Sequence, residues 1–230
     1  MSDNNYQLKD EKYSSHSIIY DLLKAEPFKT RILEFGIASG FIGKKLSPLG
    51  FDIVGIEKNS KLIKENNIYY SKIIDLDLNK GHISDLEKFD FIILADILEH
   101  LQDPSSLLKE CRELLKEKGK IIISVPNVAN WFIRLGLLFG KFDYRERGIL
   151  DKTHIKFFTL KTAKGLILDS GLGVINCISS SLPFGLLLKQ KFISRLINEL
   201  YFCFAKYFPK LFAYQFIFLC DNKSDAEFNK

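Results

Sequence analysis

The sequence has few cysteines, and none of them stands in a spacing that binds zinc. Cys111, Cys177, Cys203 and Cys220 form no C-x-x-C pair, and no histidine completes a ligand set with them. This usage excludes a disulfide framework and favours a reducing compartment. We therefore expect buried free thiols.

Long hydrophobic runs are also missing. No stretch reaches the roughly 18 to 20 apolar residues that a membrane span needs. The N-terminal stretch MSDNNYQLKDEKYSSHS lacks the apolar segment of an export signal. The expected location is therefore cytoplasmic.

The sequence also lacks a strong net charge. The net charge is +5 over 230 residues. This is well short of the clustered basic face that nucleic-acid binding requires. We expect no nucleic-acid partner.

What the sequence does contain is a series of strand-length apolar runs separated by helical patterns. With 47% apolar residues, the chain can bury a sizeable core. The first five runs are nearly continuous in apolar residues, as in parallel strands covered by helices on both faces. The seven runs are RILEFG, FDIVGIE, IYYSKIID, FDFIILAD, GKIIISVPN, GVINCISSS and LFAYQFIFLC. This alternation predicts a single doubly wound α/β domain over residues 1–230, with ligands at the carboxyl ends of its strands.

A glycine-rich loop follows the first strand, in the stretch ILEFGIASGFIG at residues 32–43. Gly36, Ala38 and Gly40 remove side chains where something must approach the backbone closely. Phe41 stands where the third glycine of a dinucleotide fingerprint would fall, and no Gly-Lys-Ser/Thr of a P-loop is present. Glu34, at the end of the strand, would repel a pyrophosphate but attract a cationic amino group. These features weaken the case for a phosphate ligand.

The segment ILEFGIASG resembles motif I of class I S-adenosylmethionine-dependent methyltransferases, with Ala38 in place of the usual middle glycine. The resemblance implies S-adenosylmethionine as cofactor and a Rossmann-like sheet of seven strands, the last one antiparallel. Glu57 ends the second strand, where a carboxylate can accept hydrogen bonds from both ribose hydroxyls, although an NAD-binding fold would place an acid there too. Asp75 and Leu76 resemble the family's adenine-side residues. The implied cofactor residues are Glu34, Gly36, Ala38, Gly40, Glu57, Asp75, Leu76 and Asp96.

The fourth strand ends in LADILEHLQDP, which is similar to the L-E-H-x-x-D-P stretch of the same family. Asp103 and Pro104 suit the N-cap and first turn of the next helix. Asp96, Glu99 and His100 fall beside the sulfonium end of the cofactor. Some ubiquinone-type O-methyltransferases present a similar acidic-x-x-Glu-His set that binds a divalent ion, whereas many relatives use none. Our assignment contains no metal.

The segment after the fifth strand resembles methyltransferases of bacterial surface-polysaccharide and lipopolysaccharide sugar pathways, in which V-P-N-x-x-N-W, G-x-x-D-x-T-H and F-F-T recur. The resemblance implies methyl transfer to a hydroxyl of a cell-surface sugar, nucleotide sugar or glycolipid precursor, with residues 128–158 as a substrate-side insertion. A quinone-like aromatic acceptor is the alternative, and an S-adenosylmethionine-binding module without turnover is a third. No N/D-P-P-Y/F motif of nucleic-acid methyltransferases follows the fourth strand.

Several side chains of this region suit substrate binding, together with Glu99. Asn127 and Asn130 follow a proline at the end of a strand, and each amide offers a donor and an acceptor to a hydroxyl. Turn formation and helix capping are their alternative roles. Trp131 and Tyr144 offer apolar faces on which a sugar ring can stack, and packing in the core is the alternative for both.

His154 is a candidate general base for the methyl acceptor. An alcohol must lose its proton as it attacks the sulfonium methyl group, and a neutral imidazole can take that proton. His154 precedes a helix predicted to begin after Thr159, which places it over the carboxyl end of the sheet. A structural histidine that holds the loop is the alternative, and His100 is the competing base.

The segment 184–208 is predicted to be an amphipathic helical insertion before the final strand. Its apolar stripe is wide and is flanked by Lys189, Lys191, Arg195 and Lys206. Core packing of one face explains part of the stripe. The remaining width favours a lid, a homodimer face or a contact with the inner face of the membrane, which would suit a lipid-linked glycan acceptor.

Overall fold

The centre of the protein is one mixed sheet of seven strands, seen in a computed structural model that describes residues 12–83, 86–182 and 191–222. The strands are β1 (Arg31–Phe35), β2 (Asp52–Glu57), β3 (Lys72–Asp75), β4 (Phe89–Ala95), β5 (Leu115–Pro126), β6 (Leu172–Ser179) and β7 (Gln215–Asn222). Their order across the sheet is β3-β2-β1-β4-β5-β7-β6. Strands β1 to β5 pair in parallel, and β7 is antiparallel to β5 and β6. The predicted fold class is confirmed.

Helices cover both faces of the sheet because successive residues of the central strands point to opposite sides. Ile32 of β1 packs with one group of helices, and Leu33 packs with another on the opposite face. The first group is α1 (Ser15–Leu23) and α2 (Phe41–Leu46), and the second is α4 (Pro104–Glu113) and α6 (Leu160–Asp169). The other helices of the described residues are α3 (Ser60–Asn66), α5 (Trp131–Leu138), α7 (Lys191–Tyr207) and α8 (Pro209–Phe212).

Two helix starts follow the predicted caps. The Asp103 side chain accepts a hydrogen bond from the Ser106 amide at 3.1 Å, and Pro104 occupies the first turn of α4. Thr159 caps α6 in a reciprocal pair with Thr162. Each cap satisfies an amide that has no partner inside the helix. These caps fix where the chain leaves the carboxyl edge of the sheet.

Two strands are shorter than the sequence runs suggested. Residues Asn67–Tyr69 form a 3-10 turn before β3, and Tyr70 then turns inward to a buried position. Before β7, Pro209 begins the short helix α8, since proline is well placed in a first helical turn. The prediction placed both strands over the full apolar runs. In the structure, the residues at the start of each run form these turns, so each strand begins later.

The predicted insertion 184–208 contains the helix α7, while its residues 184–190 lie outside the described part of the chain. Tyr201 and Ala205 are buried, whereas Leu196, Leu200 and Phe204 are exposed. The helix is thus packed on one side and leaves apolar side chains on the other. The domain boundaries themselves stay predictions.

The cysteines are all free, but they are not all buried. Cys111 and Cys220 lie in the core, whereas Cys177 and Cys203 are exposed, which corrects the expectation of four buried thiols. Within the described ranges, no helix combines the length and the apolar character that crossing a bilayer demands.

Candidate active site

The loop after β1 is bent by three residues with left-handed backbone conformations. The φ angles of Gly36, Ala38 and Gly40 are +64°, +46° and +69°. Glycine adopts this region at no steric cost, whereas alanine is strained there. The Gly36 amide donates to the Ile56 carbonyl at 2.7 Å, and the Gly40 amide donates to the Ile37 carbonyl at 2.7 Å. The loop is therefore a fixed surface of main chain at the end of β1.

The two glycines also lie against neighbouring side chains. A Cβ atom on Gly36 would come within 2.4 Å of Ile97 Cδ1, and one on Gly40 within 2.2 Å of Asn66 Oδ1. Such distances are far inside van der Waals contact. The positive φ angles strain any other residue at these positions, and a larger side chain would also have to displace Ile97 or Asn66.

Glu34 lies beneath this loop. Its side chain is buried and accepts a hydrogen bond from the Tyr70 hydroxyl at 2.8 Å. Burial, and then the Glu34 charge, raise the pKa of Tyr70 far above its ordinary value, which keeps the phenol protonated as a donor. This bond joins β1 to Tyr70, two residues before β3 begins. A contact between Glu34 and the amino group of a cofactor stays a prediction.

Glu57 holds the same loop from the end of β2. One carboxylate oxygen accepts from the Ala38 amide at 3.2 Å, and the other accepts from the Lys58 and Asn59 amides at 3.0 and 2.9 Å. Because these bonds fix the carboxylate, its orientation is set before any ligand arrives. The side chain also lines a cavity between the ends of β1, β2 and β4.

This cavity is open to solvent and measures about 130 Å³. Its walls include Gly36, Glu57, Leu76, Ile97 and Leu101, so a carboxylate and apolar side chains face the same space. Asp75 is exposed and does not line the cavity, whereas Asp77 does. Asp77 is therefore the acid of this turn that lines the cavity, and a role of Asp75 in cofactor binding stays a prediction. The chain turns after β3, where the Lys80 amide bonds the Asp77 carbonyl at 2.9 Å, and this turn brings residues 76–79 to the cavity.

Asp96 faces away from the loop. Its φ is +57°, and its carboxylate accepts from the Ser124 hydroxyl at 2.8 Å and from the Gln215 amide at 2.7 Å. These partners lie on β5 and β7. The Asp96 carboxylate thus points toward the ends of β5 and β7. Its role in cofactor binding stays a prediction.

Glu99 is a buried carboxyl group beside His154. Its exposed fraction is 1%, and neither side-chain oxygen has a hydrogen-bond partner among the described residues. Burial raises the pKa of Glu99 well above its ordinary value, and the charges of Asp96 and Asp151 add to this. Glu99 Oε1 lies 3.9 Å from His154 Nε2. A protonated carboxyl group and a neutral imidazole can share this space without charge.

His154 is held in one tautomer. Its Nδ1 lies 3.0 Å from the Ile149 carbonyl oxygen, which can only accept, so Nδ1 carries the proton and Nε2 has the lone pair. Burial lowers the pKa of His154, which favours the neutral ring. The predicted loop-holding bond is therefore present, and the other nitrogen is left available toward Glu99.

His100 connects this pair to the cavity. Its Nδ1 lies 3.1 Å from the Thr153 carbonyl oxygen, and its ring centroid is 4.8 Å from that of His154. It is less buried than His154 and lines the cavity beside Gly36 and Glu57. Ligand atoms of Glu99, His100 and His154 lie within 4.8 Å of one another, close enough to hold a cation. The assignment without a metal stays a prediction.

A family model described as a methyltransferase domain matches residues 8–176. This chain belongs to the methyltransferase-domain family.

The curated relatives of this methyltransferase resemble only part of it. It is 33% identical over 110 residues to a ubiquinone biosynthesis O-methyltransferase of Glaesserella parasuis, covering 44% of this chain and 47% of that one. It is 30% identical over 113 residues to the protein of that name from Cereibacter sphaeroides, covering 46% of each. The chain therefore spans about half the length of the curated relatives it matches.

Solved structures share the fold across nearly the whole chain. A TehB-like S-adenosylmethionine-dependent methyltransferase from Corynebacterium glutamicum superposes with a TM-score of 0.59 at 16% identity, covering 96% of this chain and 94% of that one. Magnesium protoporphyrin IX methyltransferase from Synechocystis, with bound S-adenosylhomocysteine, gives 0.61 at 14% identity, covering 91% and 84%.

The residues around the first cavity fit S-adenosylmethionine, the cofactor of this methyltransferase domain. The Glu57 carboxylate suits ribose hydroxyls, and Leu76, Ile97 and Leu101 suit the flat adenine ring. The loop without side chains at Gly36 and Gly40 suits the methionine part. The sequence had not indicated Asp77, Ile97 or Leu101, since only the folded turn shows which residues face the cavity.

Asn127 and Asn130 have structural roles in this methyltransferase. Both are fully buried, and their side-chain amides donate to the Ala213 carbonyl at 2.9 and 2.7 Å. The Asn127 oxygen accepts from the Ala129 amide, and the Asn130 oxygen caps α5 by accepting from the Phe132 amide. With donors and acceptors used by the main chain, they form the turn and cap. The alternative roles in the turn and the cap are therefore present, and a role of these amides in substrate binding stays a prediction.

The two predicted aromatic contacts lie in different places. Tyr144 is exposed and packs beside Phe142 and Phe157, and the Phe157 ring lies 6.4 Å from that of His154. Trp131 is partly exposed and donates through Nε1 to the Tyr201 hydroxyl at 3.1 Å. The structure therefore brings Tyr144 toward the histidines and joins Trp131 to α7.

Proposed function

We propose that this methyltransferase acts on a hydroxyl of a quinol-like aromatic acceptor. The observation that supports the proposal most is the pair of rings of His100 and His154. In each ring, Nδ1 donates a hydrogen bond to a main-chain carbonyl oxygen, which leaves Nε2 as an acceptor. The pair stands between the cofactor cavity and a group of aromatic rings. The names of the curated relatives, ubiquinone biosynthesis O-methyltransferases, support an aromatic acceptor.

His100 is the proposed general base. It lines the cofactor cavity and is less buried than His154, so an acceptor hydroxyl can reach its Nε2. Thr153 holds the ring by its carbonyl, which fixes the direction of the lone pair. When bound, S-adenosylmethionine supplies an electrophilic methyl group, which forms a bond to the acceptor oxygen and leaves S-adenosylhomocysteine. His100 takes the hydroxyl proton during this displacement.

Glu99 and His154 are proposed to position the acceptor and His100. A protonated Glu99 can donate a hydrogen bond to the acceptor oxygen, which an ionised carboxylate could not do. The buried His154 ring packs against His100 and restricts its orientation. Tyr144 and Phe157 offer apolar faces to an aromatic ring of the acceptor.

A sugar hydroxyl is the second candidate acceptor. The segment of residues 128–158 carries the motifs on which that hypothesis rests, but the curated relatives named above belong to ubiquinone biosynthesis. A cofactor-binding module without turnover is the third candidate. The first two candidates place label from the cofactor in different products, and the third gives no labelled product.

The experiment incubates the purified protein with methyl-labelled S-adenosylmethionine and extracts of its source cells, followed by separation of quinone, glycan and glycolipid fractions. We expect label in the quinone fraction and its loss in His100→Ala. Label in a glycan fraction would move the proposal to a sugar hydroxyl. Cofactor binding without label in any fraction would support the third candidate. A parallel reaction with chelator tests the Glu99, His100 and His154 cluster, and loss of label there would add a divalent cation to the mechanism.

The exposed apolar face shared by α5 and α7 is proposed to contact an anionic membrane surface. Leu138 and Phe139 at the end of α5 and Leu200 on α7 are exposed, and the bond from Trp131 to Tyr201 joins the two helices. The same helices and the adjoining α8 carry the cations Arg134, Lys206 and Lys210, and the Arg134 guanidinium donates to the Lys210 carbonyl at 3.4 Å. An apolar face with a basic rim suits a lipid surface with anionic headgroups.

Co-sedimentation with vesicles of anionic lipid tests this contact. We expect binding that Leu138→Ser and Phe139→Ser weaken, whereas Ile68→Ser, an equally exposed position elsewhere, leaves it unchanged. Self-association lost in the same variants, without vesicle binding, would replace the membrane by a second copy of the chain. Cell fractionation then tests the predicted cytoplasmic location at the inner membrane face.

A further inference from the structure

A second cavity lies on the other side of the loop that carries His154, and the proposed mechanism does not use it. It measures about 180 Å³. Phe132, Ile133 and Leu150 give it an apolar floor, and the loop of residues 141–150 forms its rim. The cavity can therefore hold a carbon skeleton with a polar group at its mouth.

The rim of this cavity is positively charged. Lys141, Arg145 and Arg147 line it together with a single acid, Asp143. None of the three cations forms an ion pair with an acid in the described part of the chain, whereas Lys152 on the same loop pairs with Glu146 at 2.8 Å. Three cations beside one acid leave an excess of positive charge at the rim, which suits an anion.

Tyr214 adds a neutral donor to the same cavity. Its hydroxyl has no hydrogen-bond partner among the described residues. Burial raises the pKa of Tyr214 to about 12, and the Asp96 charge contributes, so the phenol stays protonated at neutral pH. A protonated phenol beside two guanidinium groups can donate to the oxygens of a phosphate or carboxylate.

The cavity shares a wall with the proposed catalytic site. Ile149 lines the cavity, and its carbonyl accepts the hydrogen bond from His154 Nδ1 at 3.0 Å. The main chain of Arg145 is fixed by bonds to Leu150 and Lys152 at 2.8 and 2.9 Å. The backbone of Arg145 therefore has a set position next to the loop that carries His154, and its side chain is exposed there.

We infer that this cavity binds an anionic group, a phosphate or a carboxylate, carried by the methyl acceptor. The inference rests on the proposed function, because the acceptor hydroxyl must lie at His100 while the anion lies beyond His154. Arginine suits this task because its planar fork meets two oxygens of one anion at once. The substrate class is thereby narrowed to hydroxylated acceptors with an anionic substituent.

Calorimetry of the full chain with inorganic phosphate, pyrophosphate and benzoate tests the site directly. We expect saturable binding of at least one anion, weakened about 10-fold to 100-fold in Arg145→Gln and in Arg147→Gln, the scale of one lost hydrogen bond to a charged group. Tyr214→Phe should weaken it less. Lys161→Gln, at an exposed position of α6, is the matched control and should have no effect. Preference for phosphates or for benzoate identifies the source of the anion.

Competition kinetics connect the site to the acceptor. The bound anion should raise the acceptor KM without changing kcat or the affinity for S-adenosylmethionine. Absence of binding by all three anions, or equal weakening in Arg145→Gln and Lys161→Gln, overturns the inference, even if methyl transfer to an aromatic acceptor proceeds. Anion binding that does not compete with the acceptor also overturns it. Failure of the proposed function is recognised separately, by cofactor binding without labelled product.

Discussion

The cofactor half and the acceptor half of the site are built in different ways. The cofactor half consists of main chain bent at Gly36, Ala38 and Gly40 and pinned by Glu57, which is 19 residues from Ala38. The acceptor half depends on contacts between distant parts of the chain. His100 bonds Thr153, 53 residues away, and Asn127 bonds Ala213, 86 residues away.

Because of this difference, we expect substitutions to affect cofactor binding and acceptor binding in different ways. A substitution in the cofactor loop acts first on the cofactor, because the main chain of the loop itself forms that surface and is held by Ile56 and Glu57 of the adjacent strand β2. A substitution in the acceptor half also acts through the position of a loop, since Glu99 holds residues Ile155 and Lys156 by its carbonyl at 2.9 and 3.0 Å. Acceptor preference can therefore change while the cofactor site is retained.

The largest effect is expected in the cofactor loop. Gly40→Val should abolish S-adenosylmethionine binding, because the new side chain meets Asn66 and valine is strained at a φ of +69°. Calorimetry measures the affinity, and thermal unfolding checks that the domain is folded. Gly165→Ala in α6, where a Cβ meets nothing within 4 Å, is the control and should keep full affinity. Normal affinity in Gly40→Val would show that the loop does not hold the cofactor.

The second effect concerns the acceptor half. His100→Ala should lower kcat by about 100-fold to 10,000-fold with little change in cofactor affinity, because a general base acts only on the reaction path. His154→Ala should lower kcat less and raise the acceptor KM, since its ring supports His100. Steady-state kinetics separate the two, with exposed His82→Ala as the control. A larger loss of kcat in His154→Ala would make that residue the base.

The third prediction concerns Glu57 in the cofactor half, where we expect a smaller loss of S-adenosylmethionine affinity. Glu57→Ala should weaken S-adenosylmethionine binding about 10-fold to 100-fold, the scale of a lost hydrogen bond to a charged group. Glu57→Gln should fall between this variant and the wild type, because it keeps one oxygen. Titration calorimetry measures both, and acceptor KM should stay unchanged. Equal loss of acceptor binding would show that the two halves are not separate.

The fourth effect is on stability rather than binding. Tyr70→Phe should lower the free energy of unfolding by about 1 to 3 kcal/mol, because it removes the donor to the buried Glu34 carboxylate. Denaturant unfolding measures this, with Tyr69→Phe as the neighbouring control. An unchanged free energy in Tyr70→Phe would mean that the bond beneath the loop contributes nothing.

The smallest effect is expected at Asp90, near the amino end of β4, which belongs to neither half of the site. Partial burial alone would raise the pKa of Asp90, but hydrogen bonds from Lys116 and the Arg31 amide outweigh it and lower that pKa. The ionised Asp90 carboxylate therefore stabilises the folded protein above the ordinary pKa of an aspartate. This stabilisation is lost as the pH falls through the lowered pKa of Asp90. Asp90→Asn should reduce Tm by about 1 to 4 °C at pH 7 and have no such effect below the lowered pKa. A Tm difference that is constant with pH would contradict this.

The sequence by itself determined the sheet, its helices and the cofactor loop. Apolar runs, the caps Asp103 and Thr159 and the spacing from Gly36 to Gly40 are local signals, and each depends on neighbouring residues alone. Tertiary structure decided that Asp77 faces the cavity instead of Asp75, that Asn127 and Asn130 serve the main chain, and that His100, His154 and Glu99 meet. The physical reason is that hydrogen-bond partners and burial set the chemistry of a polar side chain. Both are supplied by chain segments that come together only on folding.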